Sequence, residues 1–297
     1  MALHPDEEIY ATAIQGLKPA YTCAAAALGS TLRNLDDTRR RVALVDNVST
    51  SIVATLVLAN WTVVRIEDVT GPEFKMARFY QPVYAVKLAL FALPVQRLVY
   101  FDADHLPVLS ETAAAKLKAL WRLQGGDPVA ASETFDTRCN PRRCFNSGFM
   151  LVRPSPAAYE QVIRSRQVLT FHGQRCHFLP GDQPILNVVF RNFTPVPRDV
   201  WDVLDPWTVK VCGRSSAACR TLASTRGKPP DSWHFVGRAR KPWNRDSFTA
   251  FATPAAPRCA WHPLRKGNSL AALASKQWWD AYGGLGLQGA CSDINVL

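Results

Sequence analysis

From Ile9 to Val152, short apolar, β-compatible runs alternate with segments whose apolar residues recur at helical spacing. A chain with this alternation buries its strands as a wound α/β sheet carrying helices on its faces. The expected strands are Ile9 to Ile14 (IYATAI), Arg41 to Val45 (RVALV), Trp61 to Ile66 (WTVVRI), Arg97 to Phe101 (RLVYF), Pro128 to Ser132 and Ser147 to Val152 (SGFMLV). Between them, Tyr21, Ala25, Leu28, Leu32 and Leu35 make one buried helical stripe. Further helices are expected over Ser49 to Ala59, Val83 to Leu93 and Ser110 to Leu120, with a Pro- and Gly-punctuated loop over Thr70 to Pro82. Beyond Pro154 the alternation weakens. Pro156 to Gln167 and Gln183 to Phe190 are helical in pattern, and Asn192 to Pro230 is mostly loop with short strands. The tail after Asn244 is Pro/Ala-rich apart from the amphipathic Leu270 to Tyr282. The economical organisation is one domain over residues 1–244 with an extension over 245–297 packed on it or trailing it.

With 297 residues, 47% hydrophobic and 20% charged, the chain has the material for a substantial core, which excludes overall disorder. Thirty-five Lys and Arg against 24 Asp and Glu give a formal charge of +11, which suits an anionic partner such as phosphate groups, nucleic acid, acidic glycan or anionic lipid. The arginines are scattered rather than set in a nucleic-acid-binding motif, which argues against nucleic acid. The opening MALHPDEEI carries acids and no apolar run, so it is not read as a signal peptide. The low-polarity stretch Thr22 to Gly29 is far short of the roughly 20 residues a spanning helix needs, so no membrane span is expected. Eight cysteines form no C-x-x-C pair and read as mostly reduced thiols of a cytoplasmic protein.

Four segments carry candidate chemistry. The first is Phe101-Asp102-Ala103-Asp104, at the carboxyl end of a hydrophobic strand, where open α/β sheets bind ligands. Two carboxylates one residue apart suit a hard divalent cation shared with substrate phosphates, although many D-x-D pairs are only solvated strand ends. The second is Phe145-Asn146-Ser147-Gly148-Phe149, which offers short hydrogen-bonding groups and a glycine permitting close approach of a ligand; the same residues are ordinary turn chemistry. The third is Gly181-Asp182-Gln183-Pro184, opening a helix. Asp182 there is either an N-cap or a carboxylate facing an electrophilic carbon. In the fourth, running from Trp233 to Trp243, His234 is either a metal ligand or a partly buried histidine beside a solvated basic loop.

The order of these segments is more specific than any one of them. AYTCAAAALGSTL from Ala20, YAVKLALF from Tyr84, VYFDAD from Val99, CFNSGFMLVRPS from Cys144, GDQPILN from Gly181 and HFVGRARKPW from His234 resemble the glycogenin-like family of retaining glycosyltransferases. The resemblance spans roughly Ile9 to Trp243 and leaves the tail with Trp278-Trp279 uncovered. It implies a GT-A fold, a Rossmann-like mixed central sheet flanked by helices, in a single nucleotide-sugar-binding domain.

The resemblance further implies that Asp102, Asp104 and His234 hold Mn²⁺, or Mg²⁺ as a substitute, on the diphosphate of a UDP-sugar. Tyr21 would stack on uracil with backbone near Ala13 and Ala103 assisting, and Arg78 and Lys87 would reach phosphate or sugar oxygens. Asn146, Ser147, Asp182 and Gln183 would meet the sugar beside the anomeric carbon, and Gly237 with Lys241, or its neighbour Arg240, would close over the diphosphate. Asp182, Gln183 and Lys241 are thus the expected catalytic residues. The expected partners are a UDP-sugar donor and a glycan, protein or small-molecule acceptor, with homodimerisation suggested by the family. Glycogenin glucosylates a tyrosine between its G-D-Q and H-F-x-G segments, whereas Asp182 to His234 contains none, so transfer to a separate acceptor is expected. A sugar-phosphate nucleotidyltransferase and a catalytically silent nucleotide-sugar-binding protein are the alternatives.

Overall fold

The computed structural model describes residues 2–16, 19–70, 85–123, 125–134, 144–169, 182–204, 230–235, 276–278 and 280–281. Its elements follow the expected alternation closely. Strands β1 (Glu8–Gln15), β2 (Arg40–Asp46), β3 (Thr62–Arg65) and β4 (Arg97–Phe101) are parallel neighbours, in the order β3-β2-β1-β4. Helices α1 (Pro19–Leu35) and α2 (Thr50–Leu58) connect the first three, and α3 (Glu67–Thr70) follows β3. A helical turn α4 (Ala85–Leu88), continuing as a 3-10 turn over Ala89–Ala92, leads into β4. The single helix expected there is therefore split, and it ends before Pro94 as expected.

After β4 come β5 (His105–Pro107), α5 (Glu111–Leu120), β6 (Val129–Thr134), β7 (Cys144–Val152), α6 (Pro156–Leu169), α7 (Asp182–Val189), β8 (Thr194–Pro195), β9 (Val203–Leu204) and β10 (Ser232–His234). Strand β7 joins β4 antiparallel and β6 joins β7 antiparallel, which completes a seven-stranded mixed sheet ending in β8. Ser49 caps α2, its hydroxyl accepting from the Ile52 N–H at 3.3 Å, and Ser110 caps α5 in the same way from Ala113 at 3.0 Å.

Alternation along the strands sends side chains to two cores. Tyr10, Ile14, Ala43, Val45, Val99, Phe101 and Leu151 face α1 and α5. Ile9, Ala11, Val42, Leu44, Leu98, Tyr100 and Met150 face the α4 segment, α6 and α7. This is the three-layer arrangement of the GT-A fold.

Three local readings are corrected. Cys23 to Leu28 of α1 are all buried, so its first turns are enclosed all round rather than along one stripe; the alanines let sheet and helices approach closely. Asn146 lies inside β7, which begins at Cys144 rather than at Ser147. Cys23 is disulfide-bonded, an exception to the reading of mostly reduced thiols. No described helix is long and apolar enough to cross a membrane.

Candidate active site

Strand β4 is buried through Phe101, and the chain leaves it at Asp102, which places that carboxylate on the carboxyl edge of the sheet. The Asp102 N–H continues the ladder by donating to the Gly148 carbonyl of β7 at 2.8 Å, and the His105 N–H closes a turn onto the Asp102 carbonyl at 2.8 Å. Strand β5 then pairs antiparallel with β10, setting His105 directly opposite His234, and Phe235 N–H donates to the Asp104 carbonyl at 3.0 Å. A small sheet of β5, β10 and β9 thereby delivers His234 to the D-x-D turn.

One ligand atom each from Asp102, Asp104 and His234 lies within 4.8 Å of the others. His234 Nε2 stands 3.6 Å from Asp102 Oδ2 and 3.6 Å from Asp104 Oδ1, too long for hydrogen bonds. Donors about 2.1 Å from one ion and at right angles to each other lie about 3 Å apart, so the spacing fits three ligands of a shared hard cation. The donor set of two carboxylates and an imidazole fits as well. Burial alone would lower the His234 imidazole, but the two carboxylates reverse this and push it up to about 9. Burial likewise opposes the charge on Asp102, yet Lys87 and His234 hold its carboxyl well below the usual carboxylate range.

The two oxygens of Asp102 divide their work. Oδ2 faces His234, whereas Oδ1 meets Lys87 Nζ at 2.8 Å and accepts from the Tyr100 hydroxyl at 2.6 Å. Burial and the adjacent Asp102 carboxylate keep Tyr100 protonated, with its pKa raised well above the ordinary value. Lys87 Nζ also meets Asp182 Oδ2 at 2.7 Å and contacts the Ser147 hydroxyl at 3.3 Å. That hydroxyl donates to Asp182 Oδ2 at 2.5 Å. Burial would drive the Lys87 ammonium toward neutrality, but Asp102 and Asp182 override it and raise its pKa. One buried cation therefore joins the D-x-D turn to the start of α7.

Side chains also lock α7 onto β7. Asn187 accepts from the Phe145 N–H at 2.8 Å and donates to the Phe145 carbonyl at 2.9 Å, standing in for a neighbouring strand. Gln183 Oε1, one helical turn earlier, accepts from the Ser147 N–H at 3.1 Å. This docking fixes Asp182, and Asn146 Oδ1 folds back onto the Gly148 N–H at 2.7 Å.

Gly148 makes room for His234. A Cβ built on Gly148 would lie 2.3 Å from His234 Cε1 and 2.8 Å from its Nε2, and the ring has His105 stacked against it at 4.5 Å. Gly148→Ala is therefore expected to displace the imidazole and weaken divalent-metal binding by about 10-fold or more. Titration with Mn²⁺ beside a thermal melt of the metal-free protein checks this; parental affinity would refute it.

The structure thus brings together Lys87, Asp102, Asp104, Asn146, Ser147, Asp182, Gln183 and His234, with Ala103 buried within the turn. Ala11 of β1 lies opposite Tyr100, so Ala13 points toward the same end of the sheet, and Tyr21 is half-buried in the first turns of α1 against the core. Arg78, Gly237, Arg240 and Lys241 lie outside the described residues. Tyr100, His105 and Asn187 are site residues that sequence reasoning did not assign. Tyr100 shares a strand face with Asp102, and Asn187 a helix face with Gln183, which are the signals spacing offers.

No protein-family model matches the chain. It is 26% identical to UDP-glucuronate:xylan alpha-glucuronosyltransferase 1 of Arabidopsis thaliana, over 87% of this chain and 37% of that protein. It is 27% identical to glycogenin-1 of Mus musculus, over 76% of this chain and 62% of that protein. The chain thus spans between a quarter and two fifths of the xylan glucuronosyltransferases it matches. Among solved structures, the galactosyltransferase LgtC in complex with donor and acceptor sugar analogues superposes with a TM-score of 0.60 at 18% identity, over 95% of this chain and 99% of that one. The homologues are glycosyltransferases of the glycogenin-like type, and the fold is GT-A, as the ordered motifs imply.

Proposed function

We propose that the chain is a metal-dependent retaining glycosyltransferase moving a hexose or related sugar from a UDP-sugar to a separate acceptor. The observation that carries this reading is the grouping of Asp102, Asp104 and His234, with Lys87 tying the D-x-D turn to Asp182. Asp102, Asp104 and His234 would hold Mn²⁺, or Mg²⁺ in its place, and the ion would neutralise charge developing on the leaving diphosphate. We assign residues 1–244 to the transferase domain and 245–297 to an extension packed on it. Burial of Trp278 and the bond from Trp233 Nε1 to Gln277 Oε1 at 2.8 Å support that packing.

Asp182 Oδ2 already accepts from the Ser147 hydroxyl and from Lys87, which restrains the carboxylate and lowers its nucleophilicity. This favours the route in which the acceptor hydroxyl attacks the anomeric carbon from the face the diphosphate leaves, with the departing phosphate oxygen taking its proton. Asp182 and Gln183 then position the sugar and stabilise positive character at its anomeric carbon. Asn146 and Ser147 line the sugar side, Tyr21 and the backbone near Ala13 and Ala103 the nucleoside side, and Arg78, Gly237 and Lys241 the diphosphate.

UDP release is expected from one member of a panel of UDP-sugars that includes UDP-glucuronate, UDP-glucose and UDP-galactose. It is expected to require Mn²⁺, to stop with chelator, and to leave the intact mass of the protein free of added hexose. Turnover of a nucleoside triphosphate with a sugar phosphate, and no UDP release from any donor, would replace this reading with the nucleotidyltransferase. Added hexoses would overturn the separate acceptor.

A further inference from the structure

His105 is enclosed, 1% exposed, and bonded at both ring nitrogens. Its Nδ1 lies 3.0 Å from the Gly148 carbonyl oxygen and its Nε2 3.1 Å from the Ser232 hydroxyl. A carbonyl only accepts, so Nδ1 carries the proton that bonds Gly148, while Nε2 and the Ser232 hydroxyl share the second bond. Each bond ends on a different strand, β7 on one side and β10 on the other, so the ring is fixed in its plane. Phe101 and Phe149 pack edge-on and tilted around it, with centroids 5.6 and 6.2 Å away. Against this ring lies the imidazole of His234, with centroids 4.5 Å apart and planes only 10° from parallel. The pairing follows from the register that sets His105 opposite His234 across β5 and β10. The Gly148 backbone closes in as well, with no room for a Cβ beside His234 Cε1.

The geometry points to His105 as a positioning residue: a doubly anchored imidazole that holds the His234 ring in the plane where its Nε2 faces Asp102 and Asp104. This rests on the reading of those three side chains as a metal site. A stacked ring fixes a metal-ligating histidine in a different way from the usual hydrogen bond to its second nitrogen, but the effect is the same, since the ligand loses little rotational freedom when the ion binds.

The test is Mn²⁺ affinity of the whole chain, by calorimetry and by the Mn²⁺ electron paramagnetic resonance signal, beside thermal melts of the metal-free protein. In His105→Phe a flat ring is kept and both polar anchors are lost. It is expected to bind Mn²⁺ about 10- to 100-fold more weakly while remaining folded, and Ser232→Ala, which removes one anchor, to fall between it and the parent. A merely structural role would shift the melts and leave affinity untouched, so parental affinity in folded His105→Phe overturns the proposal. If His105→Phe does not fold, Ser232→Ala decides: weaker binding supports the proposal and parental binding overturns it. Parental protein that binds no Mn²⁺, or that binds it equally well as His234→Ala, overturns the metal site itself and the proposal with it.

Discussion

Lys87→Met is expected to destabilise the folded chain by about 3–5 kcal/mol, because it strips the partner from two buried carboxylates at once. Methionine fills a similar volume and packs on Tyr100, over whose ring the ammonium now sits at 5.2 Å, so the loss is chiefly electrostatic. Asp102 Oδ1 and Asp182 Oδ2 both lie within hydrogen-bonding reach of the one nitrogen and are left facing each other across its place. The pH dependence should change as well. In the parent, Asp102 is held below the ordinary carboxylate value of about 3.9, so its contribution is present above that pH and is lost as pH falls below it. In Lys87→Met the repulsion of two facing, unpaired carboxylates is relieved by protonation, so stability relative to the parent should rise as pH falls from 7 toward 5. Thermal melts across that range are the measurement, and Lys87→Met with Asp182→Asn should recover part of the loss because one of the opposed charges is gone. A single variant melting with the parent at pH 7 would show that the ammonium does not hold the two carboxylates.

The parts of the fold legible in the sequence are those set by local pattern. RLVYF is apolar on both faces because β4 is central in the sheet, and its bounds coincide with the expected strand. The helices that Ser49 and Ser110 cap were expected to begin at those same residues. What the pattern could not give is the sheet of β5, β9 and β10, whose strands are two or three residues long and too short to carry a period. Asn146 and Ser147 have the residue types of a turn and lie where the β6–β7 register breaks, and they are held within the strand by side chains: Gln183 accepts from the Ser147 N–H and Asn187 grips Phe145 just before them.

The site divides along the same line. The ligand types at Asp102, Asp104 and His234 and the helix start at Asp182 were readable, each beside a bland alternative that the structure weighs against. Asp182 is not merely a helix cap, since its Oδ2 takes the Ser147 hydroxyl and the Lys87 ammonium. His234 is buried and its Nε2 stands 3.6 Å from a carboxylate oxygen of each aspartate. Neither the Lys87 bridge nor the His105 stack has a spacing signature, because each depends on contacts between elements far apart in the chain.

Asp104→Asn should abolish metal-dependent turnover, by about 10³-fold or more, since Lewis-acid stabilisation of a leaving diphosphate amounts to several kcal/mol. Asp102→Asn should do the same, and the two variants should part company in stability. Asp104 stands outside the Lys87 bridge, so its replacement leaves the Asp102–Lys87–Asp182 ion pairs intact, and either variant loses one of the two carboxylates that face His234. Asp102 is the second carboxylate of that bridge and the acceptor for Tyr100, so its replacement leaves the buried ammonium with Asp182 alone and costs a further ~1–3 kcal/mol. Mn²⁺ titration, UDP release and metal-free melts on the same preparations separate the two roles. Either variant turning over at the parental rate with Mn²⁺ would remove the D-x-D turn from the chemistry, and equal melts for both would remove Asp102 from the bridge. The combination expected, equal loss of turnover with unequal loss of stability, follows from one carboxylate whose two oxygens face different partners.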